Sequence, residues 1–220
     1  MNFRTLLFLF TFTCNTSMLL TAQSNVGGWP AEASKNFKKT QLTGQLIWWK
    51  EVVFYQIYMP SFQDSDGDGY SDFKGMTERL DYLQSLGIKG LWLTPFLKSP
   101  KVDNGYDVAD YYNIDPVYGN MLDLREFIEE AHKRGIKVIM DMVVNHTSTD
   151  CEWFRESRKS RNNQYRDYYI WQDKPNNWES FFGGSAWELD TLTNQYYYHK
   201  FDVRMADLNW SNPTVAGEIN

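Results

Sequence analysis

Asp64-Ser65-Asp66-Gly67-Asp68-Gly69-Tyr70-Ser71-Asp72 puts carboxylates at alternate positions with glycines between them. Like charges this close repel unless a cation joins them. Hard oxygen donors in this pattern suit Ca²⁺, with the Tyr70 backbone carbonyl as one more ligand. The alternative is a solvated acidic turn. An EF-hand is excluded, because Gly75 stands at the twelfth position where that loop needs Glu, and a strand-like run precedes it. A second group, Asp103-Asn104-Gly105-Tyr106-Asp107, sets an aromatic ring between carboxylates; it can serve as a platform for a polar ligand or be a simple polar turn. A third, Asp141 to Thr147, ends an apolar run on Asn145 and His146. His146 can hydrogen-bond a substrate there, or be a satisfied structural histidine.

The elements that must carry these residues follow from hydrophobic period. Val52 to Tyr58 is rich in β-branched and aromatic residues and predicts a buried strand. Met76, Leu80, Leu83 and Leu86 recur at helical spacing and stop at Gly87. Ile88 to Thr94 predicts a second strand, ended by Pro95. Leu124, Phe127, Ile128 and Ala131 mark a second helix, with Glu126, Glu129 and Glu130 ahead of Lys133 and Arg134 as the helix dipole prefers, and Gly135 as its cap. Ile136 to Val144 predicts a third strand. Both helices close on the same tripeptide, Gly87-Ile88-Lys89 and Gly135-Ile136-Lys137. Strand, helix, strand, helix, strand implies a parallel sheet with right-handed crossovers. A doubly wound sheet and a (β/α)₈ barrel both begin so. No glycine-rich phosphate fingerprint follows the first strand, and the loops after the strands carry acids, aromatics and a histidine, as a barrel builds its site.

From Thr147 to about Trp210 the periodicity fails, and the stretch reads as an irregular insertion. Pro213 to Asn220 then reads as the start of the next helix. The expected division is therefore a leader over 1–22, a polar linker over 23–44, three barrel strands and two helices over 45–146, an inserted domain over 147–210, and a helix start over 211–220. Arg4, an apolar stretch from Leu6 to Leu20 and the small Ala22 fit a cleaved secretory signal; the stretch falls short of the ~20 residues a spanning helix needs. Export is expected, with no stable membrane insertion. Cys14 lies in that segment, which leaves Cys151 alone and without an intrachain disulfide. A chain 42% hydrophobic and 23% charged is globular, not disordered. At a net charge of −6, with no basic cluster to track phosphates, nucleic acid is not an expected partner.

Taken together the segments resemble glycoside hydrolase family 13, the α-amylase family, and most closely its oligo-1,6-glucosidase and α-glucosidase members. The resemblance runs from Trp48 to about Asn212. It rests on Tyr55-Gln56-Ile57-Tyr58, the acidic loop, Asn104-Gly105-Tyr106-Asp107, Asp141 to His146, Tyr168-Tyr169-Ile170-Trp171, Asn176-Asn177-Trp178, Gly183-Gly184-Ser185-Ala186-Trp187 and Asp207-Leu208-Asn209-Trp210.

The resemblance implies the N-terminal part of a (β/α)₈ barrel with a domain inserted after the third strand. It implies an α-linked gluco-oligosaccharide as substrate, a monomeric enzyme, and a structural Ca²⁺ held by Asp64, Asp66, Asp68, Tyr70 and Asp72. Tyr106 would be the platform for the cleaved glucose and His146 would hydrogen-bond its primary hydroxyl. Phe182 would close the pocket from the inserted domain, and Asp103 would bind the terminal glucose in exo-acting members. Asp141 and Asn145 would shape the strand end. The chemistry implied is retaining double displacement with two carboxylates. Their motifs, at the fourth and fifth strands, are not among these residues, so no catalytic residue is assigned and this chain alone is expected to be inactive. An endo-acting α-amylase and a non-catalytic transporter subunit of the same fold are the alternatives.

Overall fold

The computed structural model describes residues 48–219. The leader expected at 1–22 and the linker at 23–44 lie outside the described residues. After a turn of 3₁₀ helix at Trp48–Lys50 come β1 (Phe54–Ile57), the short helices α1 (Phe73–Glu78) and α2 (Leu80–Ser85), and β2 (Gly90–Leu93). A hairpin of β3 (Leu97–Lys98) and β4 (Asp110–Ile114) precedes α3 (Met121–Lys133) and β5 (Lys137–Met140). The chain continues through β6 (His146–Ser148), α4 (Glu152–Ser157), β7 (Trp171–Gln172), β8 (Trp187–Asp190), β9 (Gln195–Tyr198), β10 (Met205–Asp207) and α5 (Pro213–Ile219).

Strands β1, β2 and β5 form one parallel sheet in the order β1-β2-β5, with Phe54 opposite Gly90 and Leu93 opposite Met140. This is the expected strand–helix–strand–helix–strand unit. Each strand is shorter than its apolar run, because pairing needs a neighbour in register along the whole length. The largest difference is at the third strand. It ends at Met140, so His146 is not at its C-terminus; that residue opens the separate strand β6.

The expected first helix is two. The Arg79 backbone at φ −95°, ψ 1° interrupts it, while Met76, Leu80 and Leu83 stay fully buried across the break. Leu86 does not join them and is exposed. Helix α1 starts where the Asp72 carboxylate accepts the Gly75 N–H at 2.7 Å. Helix α3 starts with a reciprocal cap between Asn120 and Asp123. The two Gly-Ile-Lys sequences do the same work. Gly87 and Gly135 take φ of 78° and 72°, which lets the following Ile88 and Ile136 N–H groups donate back to Leu83 and Ala131 carbonyls at 3.2 and 3.0 Å. A side chain other than glycine is strained in that conformation.

The first core packs these helices on the sheet. Phe73 sits edge-on to Phe96 at 5.3 Å and tilted against Phe127 at 5.9 Å, with Ile57, Leu91, Leu93 and Ile136 beneath.

Residues 147–210 are not irregular in space. They hold a three-stranded antiparallel sheet in the order β7-β9-β8, while β6 pairs antiparallel with β10. A second core gathers Cys151, Trp153, Phe154, Tyr168, Tyr169, Tyr197, Ala206, Leu208 and Val215. Strands of two to four residues with aromatics on both faces give no period-2 signal, which is why the sequence pattern failed there. The buried Cys151 is unpaired. No helix of the described residues is long and apolar enough to cross a membrane.

Phe127 is fully buried at the centre of the first core. Phe127→Ala is expected to cost about 3–5 kcal/mol by leaving a cavity under α3, read as a fall in the urea midpoint. A change under 1 kcal/mol would mean that the helix does not pack as described.

Candidate functional site

The loop between β3 and β4 is built around one carboxylate. Asp107 is fully buried and accepts from Ser99 Oγ at 2.8 Å, the Val102 N–H at 2.9 Å and the Asp103 N–H at 3.1 Å. Gly105 passes so close to the Pro95 carbonyl that a Cβ would meet it at 2.8 Å, and its φ is 98°. This fold-back presents Tyr106 toward the C-terminal end of β5. The Tyr106 hydroxyl donates to Asp141 Oδ2 at 2.7 Å, and the Asp141 N–H is itself tied to the Leu93 carbonyl at 2.9 Å. Burial, then the bond to Asp141 and the charges of Asp141 and Asp103, push the Tyr106 hydroxyl far above the usual phenol range, so it stays protonated.

His146 lies against the same loop. Its Nε2 is 3.2 Å from the Tyr106 carbonyl, which can only accept, so Nε2 carries the proton. Nδ1 then accepts from Asn145 Nδ2 at 3.2 Å. Burial lowers the His146 pKa, against the Tyr106 bond and the charges of Asp103 and Asp107 that raise it, and favours the neutral ring. Asn145 Nδ2 also donates to Asp207 Oδ2 at 3.0 Å, and the Lys200 N–H to Asp207 Oδ1 at 2.8 Å. Both imidazole nitrogens are thus engaged within the protein. A ligand hydroxyl would have to share or displace the Tyr106 carbonyl to reach Nε2, and that bond is at the long end of the normal range.

The structure brings Asp103, Tyr106 and His146 together. Asp103 is half-buried, its charge acts on both Tyr106 and His146, and among the described residues no donor reaches its carboxylate. Phe182 stands apart from them. It is 60% exposed and reaches the group through Phe201, whose ring lies 6.0 Å from Phe182 and 5.4 Å from His146. Phe201 was not legible in the sequence, where it is one ring in an aromatic-rich stretch. Asp141 does more than shape a strand end, because it orients the Tyr106 ring. A groove of about 800 Å³ lined by Lys98, Tyr112, Asp150 and Trp153 contains none of these residues.

In the acidic loop, one carboxylate oxygen each from Asp64, Asp66 and Asp72 lie within 4.8 Å of one another. Asp68 lies outside that group of three, and its Oδ1 accepts the Tyr70 N–H at 2.7 Å. Backbone N–H groups of Gly67 and Gly69 hold the Asp64 carboxyl below its usual pKa. For Asp72, burial pushes upward, but bonds from the Gly75 N–H and from Ser65 outweigh it and the net shift is downward. Each carboxylate oxygen has two lone pairs, so these bonds leave acceptor capacity facing the centre. The donor set fits a hard cation such as Ca²⁺.

A model of the α-amylase catalytic domain matches residues 56–220. The chain belongs to the α-amylase family. It is 55% identical over 178 residues to the oligo-1,6-glucosidase of Parageobacillus thermoglucosidasius, covering 79% of this chain and 32% of that protein. It is 55% identical to the trehalose-6-phosphate hydrolase of Bacillus licheniformis, whose crystal structure superposes with a TM-score of 0.76 over 78% of this chain and 32% of the other. The trehalulose synthase of Pseudomonas mesoacidophila MX-45 superposes at 0.78 with 50% identity, over 80% and 32%. The chain therefore spans about a third of the length of these relatives. Its three parallel strands and their helices are the N-terminal part of the family's (β/α)₈ barrel, with the inserted domain after the third strand.

Burial raises the Asp207 carboxyl above its ordinary pKa, against the bonds from Lys200 and Asn145 that lower it. A carboxylate raised on folding costs stability as pH climbs from its unfolded value through its folded one. Asn145→Ala removes a donor from the ionised form and deepens that cost. It should destabilise by about 1–3 kcal/mol at pH 7 and by less at a pH low enough to protonate Asp207, as read from urea melts. Equal losses at both pH values would show that the Asn145–Asp207 bond carries no charge dependence.

Proposed function

We propose that the complete protein carrying this chain hydrolyses α-glucosidic bonds in short gluco-oligosaccharides and releases single glucose units. The observation that carries this reading is the Asp103 carboxylate, which is half-buried, near enough for its charge to act on both Tyr106 and His146, and free of donors from the described residues. A carboxylate partly withdrawn from water and left without donors is costly unless a ligand supplies them. Two hydroxyls of a terminal glucose would do so, with the sugar face on the Tyr106 ring and another hydroxyl at His146. A further sugar attached at that end would displace those bonds, so the site favours chain ends. Membership of the α-amylase family, and 55% identity to an oligo-1,6-glucosidase, support α-glucosides as the substrate class.

Retention needs two carboxylates at short separation; no residue of this chain is assigned to either. What these residues do is bind and orient. Asp141 fixes the Tyr106 hydroxyl and hence the direction of the ring's long axis. The Asn145–Asp207 pair fixes the His146 ring, with its single proton on Nε2. In the same reading Ca²⁺ is held by Asp64, Asp66 and Asp72, where it neutralises the acids and stiffens the connection from β1 to α1. The apolar segment before Ala22 supports export, and monomeric action on a small sugar needs no further partner. A second reading, transfer of the glucosyl group to a sugar hydroxyl instead of water, is favoured by the 50% identity to a trehalulose synthase.

The complete protein is to be incubated with isomaltotriose, maltotriose, sucrose and soluble starch, and the products followed over time. Glucose should appear first and starch should react poorly. Asp103→Ala should lose on the order of a hundredfold in kcat/KM on disaccharides and far less on long chains. Early maltose and longer fragments from starch would sink the pocket reading, and a sucrose isomer as main product would select transfer over hydrolysis.

For the metal, chelator should lower the Tm of the same protein while leaving turnover of the folded fraction little changed. Asp66→Ala should abolish that sensitivity. A Tm indifferent to chelation, with no calcium by elemental analysis, would leave the loop an acidic turn.

A further inference from the structure

Strand β6 has two edges. On one it pairs with β10, where the Leu208 N–H donates to the Asn145 carbonyl at 2.9 Å and the Thr149 N–H to the Arg204 carbonyl at 2.8 Å. In an extended strand successive carbonyls point to opposite edges, so the groups of His146 and Ser148 face the other way. There they meet the hairpin that carries Tyr106. The Ser148 N–H donates to the Val108 carbonyl at 2.8 Å. The Tyr111 hydroxyl lies 3.0 Å from the His146 carbonyl and 2.9 Å from the Val143 carbonyl, one proton shared between two acceptors. Val143 lies within, and His146 directly after, the connection between β5 and β6, whose first residue, Asp141, holds the Tyr106 hydroxyl.

We propose that Tyr111 is a positioning residue for the sugar pocket, whose hydroxyl ties the Val143 and His146 carbonyls together and so sets the His146 ring against Tyr106. The ring of Tyr111 is itself held, stacked on Trp153 with centroids 5.5 Å apart and planes 11° from parallel. The hydroxyl is thus delivered from a fixed direction by the second core. Burial, helped by the neighbouring Cys151, pushes its pKa far above the usual phenol range, so the donor is permanent. Tyr112, the next residue, has neither the ring stack nor the pair of carbonyl acceptors. It is largely exposed, and among the described residues its hydroxyl reaches only Glu218, at 3.3 Å.

This role rests on the hydrolase reading for its kinetic consequence, but not for its structural one. In the complete protein Tyr111→Phe keeps the stack on Trp153 and removes only the hydroxyl. It should lower kcat/KM on isomaltose or maltose about tenfold, mainly through KM, as a small displacement of a binding group does. Tyr112→Phe should leave kinetics unchanged. In a His146→Gln background Tyr111→Phe should change kcat/KM less than twofold, because the group it positions is gone. The same loss in both backgrounds, or none in either, overturns the proposal.

Hydrogen exchange by mass spectrometry supplies the second arm. Amides of residues 141–148 should exchange about tenfold faster in Tyr111→Phe while those of α3 are unaltered. Unchanged exchange in 141–148 overturns the role. If the complete protein cleaves no α-glucoside at all, the hydrolase reading fails, and the exchange result still decides for or against Tyr111.

Discussion

The candidate site depends on a single buried imidazole whose two nitrogens answer to two different elements. His146 donates through Nε2 to the carbonyl of Tyr106, on the loop of the β3–β4 hairpin, and accepts at Nδ1 from Asn145, which is itself held by Asp207 of β10. A neutral ring offers one donor and one acceptor, and this arrangement uses each once. Burial, which lowers its pKa, favours that state. A protonated ring would present a second donor where Asn145 already points one. The tautomer, the loop position and the β6–β10 register (His146 opposite Asp207) therefore require one another.

Much of this was legible in the sequence. Apolar periodicity located the three parallel strands and both helices, because core packing imposes that period on residues such as Met76, Leu80, Leu83, Phe127 and Ala131. The repeated Gly-Ile-Lys was legible because a helix stop needs one residue at positive φ, and glycine is the cheapest. Two things were hidden. The break at Arg79 leaves the buried faces in phase, so the pattern of apolar residues runs through it unmarked. The end of the third strand at Met140 is set by where its neighbour β2 stops, and no residue in the Asp141–His146 run announces that.

For the site, Asp103, Tyr106 and His146 could be nominated because a carboxylate, a ring and an imidazole in loops after strands are unusual enough to notice. Asp107 and Asp207 matter as much to the geometry, yet each looks like an ordinary loop acid in one dimension. Their value comes from which backbone N–H or side-chain donor the fold brings to them, Ser99, Val102 and Lys200 among those donors. In the inserted domain, aromatics such as Phe154, Tyr169 and Tyr197 pack ring edge to ring face at 5.0 Å. Such packing is indifferent to strand alternation, so the folded domain left no periodic trace.

The two apolar cores are separate clusters, and beside the Tyr111–Trp153 stack a joint of polar contacts runs between the segments that carry them: Tyr106 to Asp141, Ser148 to Val108, and Trp210 Nε1 to the Val144 carbonyl at 2.9 Å. Close-packed interiors resist small displacements, whereas hydrogen bonds along a joint can be remade through an intervening water. Inheritance can therefore act on the two properties apart. Substitutions within either core change how long the molecule lasts, and substitutions along the joint change how Tyr106 and His146 are set against each other, so the site can drift without the fold first being surrendered.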